Sequence, residues 1–178
     1  MQDKTLIGSE EWCSFPQLGI PAIKARVDSG AKTSALHAIN IKIFDRNGEE
    51  WLKFDINPIQ NNSKSIIHCE AQLVDQRIVK SSNGTREKRY VIRTDVELGE
   101  HNWIVEVTLT NRDSMGFRML LGREAMVGRL IVDPEKKFEL GQPSTESLKE
   151  YYYNEPSKKV LNTFLPVVVQ TNISNHKK

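Results

Sequence analysis

Asn47-Gly48 stands between two runs in which apolar and polar side chains alternate, and it constrains this chain more tightly than any other feature. Ile41-Lys42-Ile43-Phe44 leads in through Asp45-Arg46, and Trp51-Leu52-Lys53-Phe54-Asp55-Ile56 leads out. A two-residue Asn-Gly connection suits the positive-φ turn that joins antiparallel strands. In the second run Leu52, Phe54 and Ile56 share one face, while Trp51, Lys53 and Asp55 share the other. That period of two fits a half-buried strand with the first set towards the core.

The same punctuation continues. Ala71–Val74 and Arg77–Val79 run to a polar tip, Ser81–Thr85, and the chain returns through Tyr90–Leu98. Gly99-Glu100-His101-Asn102 turns it again into Trp103–Leu109. Leu98, Trp103, Val105, Val107 and Leu109 are candidate core residues. Helix is scarce: Ser34–Ala38 reads as a turn, Glu124–Val127 as a short turn after Gly122-Arg123, and Ser144–Tyr153 as a helix capped by Ser144 or Thr145. The expected class is all-β. Gly141-Gln142-Pro143-Ser144 marks a boundary, dividing the chain into a domain over residues 1–141 and a C-terminal extension over 142–178, partly helical or disordered. Within the extension, Pro166 limits Phe164–Val169 to a short or edge strand.

With 178 residues the chain suits one domain with a sizeable core. A formal net charge of +2 argues neither for nor against nucleic acid, and with the basic residues scattered among acids no nucleic-acid partner is expected. The run Arg86-Glu87-Lys88-Arg89 reads as a solvated loop. No stretch reaches the ~20 apolar residues of a membrane span, and the first residues lack the apolar region of a secretory signal. A cytoplasmic protein is the simplest reading, and an exported form with its signal removed stays compatible. Cys13 and Cys69 have no CxxC spacing; a disulfide between them stays open but without support, and they read as buried or unreactive thiols. His37, His68, His101 and His176 are dispersed, with no HExxH, so neither a metal nor a cofactor is expected.

The chemistry concentrates at Asp28-Ser29-Gly30-Ala31, which follows the apolar run Ile20–Val27. An Asp leaving a strand into a small-residue turn is held by backbone amides and suits acid–base work. A turn-former with purely local hydrogen bonds is the competing reading. A second element favours chemistry: Met119-Leu120-Leu121-Gly122-Arg123, followed by a short amphipathic turn and Leu130-Ile131-Val132-Asp133.

The runs GIPAIKARVDSGAKTSALHA and LLGREAMVGRLIVDP resemble a bacterial family of retropepsin-like aspartic proteases, often labelled ATP-dependent zinc proteases. Members of that family can neighbour glutamate ligases of the ATP-grasp type, which suggests a functional link to such a ligase. The resemblance covers roughly residues 6–141. It implies a single-lobe closed barrel with a flap hairpin, and a homodimer hydrolysing peptide bonds with water activated by two Asp28 carboxylates, one per chain. It also implies that the Ser29 hydroxyl bonds across the two-fold axis, that Gly30 lets the turn approach its twin and Ala31 keeps the floor small, and that Gly122 packs under the loop. By that resemblance Phe164–Val169 could add a strand to the dimer sheet, as termini do in retropepsins, or form an extension with little order, which is the reading taken here.

Departures from the pattern are equally specific. Lys32 and Thr33 stand where viral retropepsins carry acids, so Arg123 is expected to pair with Glu124 or Asp133, or to satisfy loop carbonyls. The flap tip is polar. No G-x-x-x-x-G-K-[ST] loop is present, and the ATP label is not carried over. Two rival functions stand beside the protease: a non-catalytic peptide-binding module on the same fold, and a maturation protease narrow to one partner.

Overall fold

The structure is a computed structural model, and it describes residues 3–153 apart from 63 and 82. Phe164–Val169 and His176 therefore lie outside the described residues. Among the described residues eleven strands dominate. They are β1 (Thr5–Ile7), β2 (Glu10–Phe15), β3 (Ile20–Asp28), β4 (Ser34–His37), β5 (Ile39–Arg46), β6 (Glu49–Ile56), β7 (Ile67–Lys80), β8 (Arg86–Leu98), β9 (His101–Thr110), β10 (Met119–Gly122) and β11 (Leu130–Val132). A 3₁₀ turn covers Pro16–Leu18, and two short helices are α1 (Arg123–Met126) and α2 (Thr145–Tyr152).

Six strands close a barrel in the order β2-β3-β10-β4-β9-β8, sealed by a β2–β8 pairing at Ser14 and Glu97. Closure removes the free edges that the barrel strands would otherwise expose. β7, β6 and β5 continue the sheet outward from β8. The Asn47-Gly48 turn has φ of 57° and 82° at its two central residues, the all-positive pair that matches the twist of the flanking strands. Leu52, Phe54 and Ile56 are all buried, as the period of two predicts.

Leu98, Val105, Val107 and Leu109 join the same core as Phe15, Ile23 and Leu36, with Trp103 packed half-buried against it. Between Leu73 and Asp75 the β7–β8 register shifts through a bulge. Such a bulge bends and twists a strand, and here it separates the barrel part of the hairpin from an outer part, residues 75–91. That outer part, with Ser81 and Asn83–Thr85 at its tip, is the flap.

Two expectations are corrected. Ser34–His37 is a strand: all four residues are buried, pinned between β10 (antiparallel) and β9 (parallel). Tertiary pairing overrides a local pattern that carries no strand signal. Arg86–Arg89 is likewise the start of β8 rather than a loop, because Val79 and Lys80 pair with it across the flap. The helix at the end forms as read. The Ser144 hydroxyl accepts from the Ser147 amide at 3.0 Å, and α2 docks on β3, its Tyr152 hydroxyl donating to the Ala22 carbonyl and accepting from the Ala22 amide.

Candidate active site

β3 ends at Asp28 and β4 begins at Ser34, so residues 29–33 form a loop with two strand limbs. β10 runs between those limbs, parallel to β3 and antiparallel to β4, and the register sets Gly122 opposite Asp28. That insertion fixes the loop from below. The Arg123 amide donates to the Ala31 carbonyl at 2.8 Å, and the Glu124 amide to the Lys32 carbonyl at 3.0 Å. Gly122 donates to the Ser34 hydroxyl at 3.0 Å. A Cβ on Gly122 would stand 2.6 Å from the Thr33 carbonyl carbon and 2.7 Å from the Ser34 nitrogen. Only a residue without a side chain lets the strand pass so close to the limb.

The carboxylate is oriented by its own loop. Asp28 Oδ1 accepts from the Gly30 amide at 2.9 Å and the Ala31 amide at 3.2 Å. This is the local Asx bonding that makes Asp a turn-former, and here it also pins one oxygen. Oδ2 has no hydrogen-bond partner among the described residues. Ser29 and Gly30 are exposed, Ala31 half-buried. Arg123 Nη1 donates to the Ser29 carbonyl at 2.9 Å. Of the partners expected for Arg123, loop carbonyls are the ones it takes; Glu124 pairs with Lys32 at 3.7 Å instead, and Asp133 Oδ1 is taken by the Glu135 amide.

Asp28 opens into a cleft of about 930 Å³ between this loop and the flap. The lining is strongly one-signed: Lys32, Arg77, Lys80, Arg89 and Arg112 face a single acid, Asp28. Three of the cations have acidic partners set back from the cleft. Arg77 binds Asp75 at 2.7 Å and Glu106 at 2.6 Å, Arg89 binds Glu87 at 2.7 Å, and Lys32 has Glu124. Arg112 and Lys80 have no carboxylate partner among the described residues.

Arg112 is 7% exposed, and its Nε donates to the Phe117 carbonyl at 3.0 Å. Burial and the neighbouring Arg89 charge depress its guanidinium from the usual range, and the charge of Asp28 opposes them. Arginine stays a cation under such pressure. A buried cation without a carboxylate partner is costly, and an anion entering the cleft would relieve it.

Ser34, Arg89 and Arg112 carry no signal in the sequence that ties them to Asp28. The topology alone gathers them, from β4, the flap and the loop after β9. His37, read as a packed or surface residue, is packed, with no exposed area.

The zinc named in the family label finds no fitting donor set. Among the described residues no three His, Cys, Asp or Glu side chains form a metal-binding group. His68 Nδ1 lies 2.6 Å from Asp55, whose other oxygen accepts from Asn40, and His101 bonds Thr5. Cys13 and Cys69 are free and buried. No helix among the described residues is long and apolar enough to cross a membrane.

Comparison with known proteins agrees with this geometry. A 57% identical relative from Shewanella halifaxensis, named a probable alpha-L-glutamate ligase, matches over 157 residues, 88% of this chain and 34% of that protein. A second of the same name, from Desulfotalea psychrophila, is 56% identical over 156 residues. The chain thus spans about a third of the length of the curated relatives it matches. Among solved structures, the Legionella pneumophila protein Lpg0085, of unknown function, superposes with a TM-score of 0.65 at 28% identity, covering 78% of this chain and 99% of that one. Residues 6–143 match the family described as the retropepsin-like aspartic endopeptidase RimB. With a closed barrel, a flap and an Asp turn braced by Gly122-Arg123, this chain belongs to the RimB-like family of retropepsin-like proteins.

Proposed function

We propose that the protein is an aspartic peptidase that acts as a two-fold homodimer on acidic peptides. The observation that carries this reading is the state of Asp28: one oxygen pinned by two backbone amides, the other free at a cleft whose remaining charged lining is cationic. Each chain supplies one such Asp, and hydrolysis by carboxylates needs two. One ionised group takes a proton from water as its oxygen bonds to the scissile carbonyl carbon. The other donates its proton to the carbonyl oxygen. The tetrahedral species then collapses, the C–N bond breaks, and the leaving nitrogen takes up a proton. Two close carboxylates share one proton and titrate as a pair, and a two-fold axis is the simplest way to bring two Asp28 together. Leu6, Val127 and Ile131 stay exposed in the single chain, which supports a covered face in a dimer.

Arg112 and Lys80 select the substrate by charge, since each lacks a carboxylate partner among the described residues. The relatives named glutamate ligases carry a segment like this one within a longer chain. A ligase that joins glutamates and a peptidase with a cationic cleft would act on one kind of peptide, and a functional link to an ATP-grasp glutamate ligase is part of the proposal. The same lining supports a second reading, a non-catalytic module that grips an acidic peptide without cutting it.

The test uses the full chain with a glutamate-rich peptide, products read by mass spectrometry and mass by sedimentation. Cleavage by a dimer that Asp28→Asn abolishes without unfolding is the expected result. Equal cleavage by D28N, or cleavage by a strict monomer, would overturn it. Binding without cleavage would favour the second reading.

A further inference from the structure

β4 is four residues long and connects two parts of the cleft. At one end Ser34 accepts from Gly122 under the Asp28 loop. At the other, His37 is enclosed by the loop after β9, residues 111–118. The His37 amide donates to the Arg118 carbonyl at 2.7 Å, and the next amide, Ala38, donates to the Thr110 carbonyl at 3.0 Å. The backbone at His37 thus grips both ends of that loop.

The ring holds its middle. His37 Nδ1 accepts from the Arg112 amide at 2.9 Å, and the contact is buried. A backbone amide can only donate, so Nδ1 is bare and the proton of the neutral ring sits on Nε2. Nε2 is buried and makes no hydrogen bond within 3.5 Å among the described residues. Its nearest acid, Asp113, stands 4.0 Å away and is bound to Arg118 at 2.5 Å. Arg112 also anchors the wall of the cleft, because its carbonyl accepts from the amide of Met115, another lining residue.

We infer that His37 is a positioning residue for the cleft: as a neutral ring it holds the Arg112 backbone, thereby fixing where the guanidinium meets an acidic substrate, and protonation of the ring releases that hold. Protonation would set an N–H of the ring against the N–H of Arg112, in a site already crowded with charge. The groups facing the ring are the cations Arg118 and Arg112, the carboxylate of Asp113 and the amide of Asn57. Burial lowers the pKa of His37 from its ordinary 6.5, and Arg118 lowers it further, with Asp113 in partial opposition. The ring is therefore neutral at neutral pH. Because the folded value is depressed, the hold is complete above pH 6.5 and is lost as pH falls through the folded value.

The inference rests on the acidic-peptide reading of the cleft, so its test has an arm that does not need cleavage. The Arg112 amide resonance of ¹⁵N-labelled protein is followed from pH 8 down to the acid limit of the folded state in wild type and in His37→Asn, whose side-chain oxygen can accept the same bond without titrating. A titrating resonance in wild type and a flat one in H37N are expected. In parallel, KM for the glutamate-rich peptide should rise in wild type by about five-fold across that range, the worth of one hydrogen bond, and stay nearly level in H37N. His37→Phe, which keeps a ring but no acceptor, should carry the raised KM at every pH, with kcat less affected. If H37F does not fold, the pair of wild type and H37N still decides. An Arg112 amide that ignores pH, or the same profile in wild type and H37N, overturns the inference even where the peptide is cleaved. If no peptide is cleaved, the peptidase reading fails alone and the amide titration still answers for His37.

Discussion

Replacing Gly122 by alanine tests the strand insertion that shapes the Asp28 loop. The added Cβ would meet the Thr33 carbonyl carbon at 2.6 Å, the Ser34 nitrogen at 2.7 Å and the Thr33 oxygen at 2.8 Å, all of them backbone atoms. Main chain cannot rotate away as a side-chain tip can. Relief requires β10 and the Thr33–Ser34 limb to separate by about 0.8 Å, and overpacking of that kind costs about 1–3 kcal/mol. The same separation strains the bond from Gly122 to the Ser34 hydroxyl, now 3.0 Å, adding about 1 kcal/mol. A total loss of about 2–4 kcal/mol follows, with Asp28 displaced because it lies in register with Gly122.

Urea unfolding of G122A beside wild type, at equal protomer concentration because association adds to stability, measures the loss. Gly116→Ala is the control. Its added Cβ would meet nothing within 4 Å, and a change within about 0.5 kcal/mol is expected for so open a site. If G122A is as stable as G116A, the close approach of β10 to the loop does not constrain the site, and the account of how Asp28 is held is wrong.

Two further predictions concern parts of the fold away from the cleft. Glu11 has no exposed area, and its carboxylate accepts from the amides of Gly8 at 2.7 Å, Glu139 at 3.0 Å and Leu140 at 3.4 Å. Glu11→Ala leaves those donors unmatched and should cost about 3 kcal/mol; urea midpoints measure it, and faster hydrogen exchange at the three amides should accompany it. The thiols of Cys13 and Cys69 are both pushed up to about 12 by burial, so almost no thiolate exists at neutral pH. Neither should react with a disulfide reagent until urea exposes them, and rapid labelling of the folded protein at pH 8 would contradict the buried placement.

Local patterns carried a large part of this protein. The Asn47-Gly48 hairpin, the inward set Leu52, Phe54 and Ile56, the long flap pair and the Ser144-capped helix were all legible because each depends on turn chemistry or on a period set by neighbouring residues. Asp28-Ser29-Gly30-Ala31 and Gly122-Arg123 were legible as a pair of elements and as a resemblance. Their contact was not, since Asp28 and Gly122 stand 94 positions apart and only the β3–β10 register sets them side by side.

The misreadings share one cause. Ser34–His37 looked like a turn because its strand character comes wholly from two neighbours distant in sequence, β9 and β10. Arg86–Arg89 looked solvated because its charges mask the flap pairing that buries Arg89. Arg112 and His37 carried no pattern at all.

By itself the sequence determined the all-β class, the hairpins and which side chains seek the core, since alternation and turn residues act over a few positions. The tertiary structure decided what the site contains. Strand insertion, barrel closure and the fold of the flap bring Asp28, Gly122, Arg112 and His37 together from distant parts of the chain. Electrostatic character and hydrogen-bond partners depend on that proximity in space, which no local period encodes.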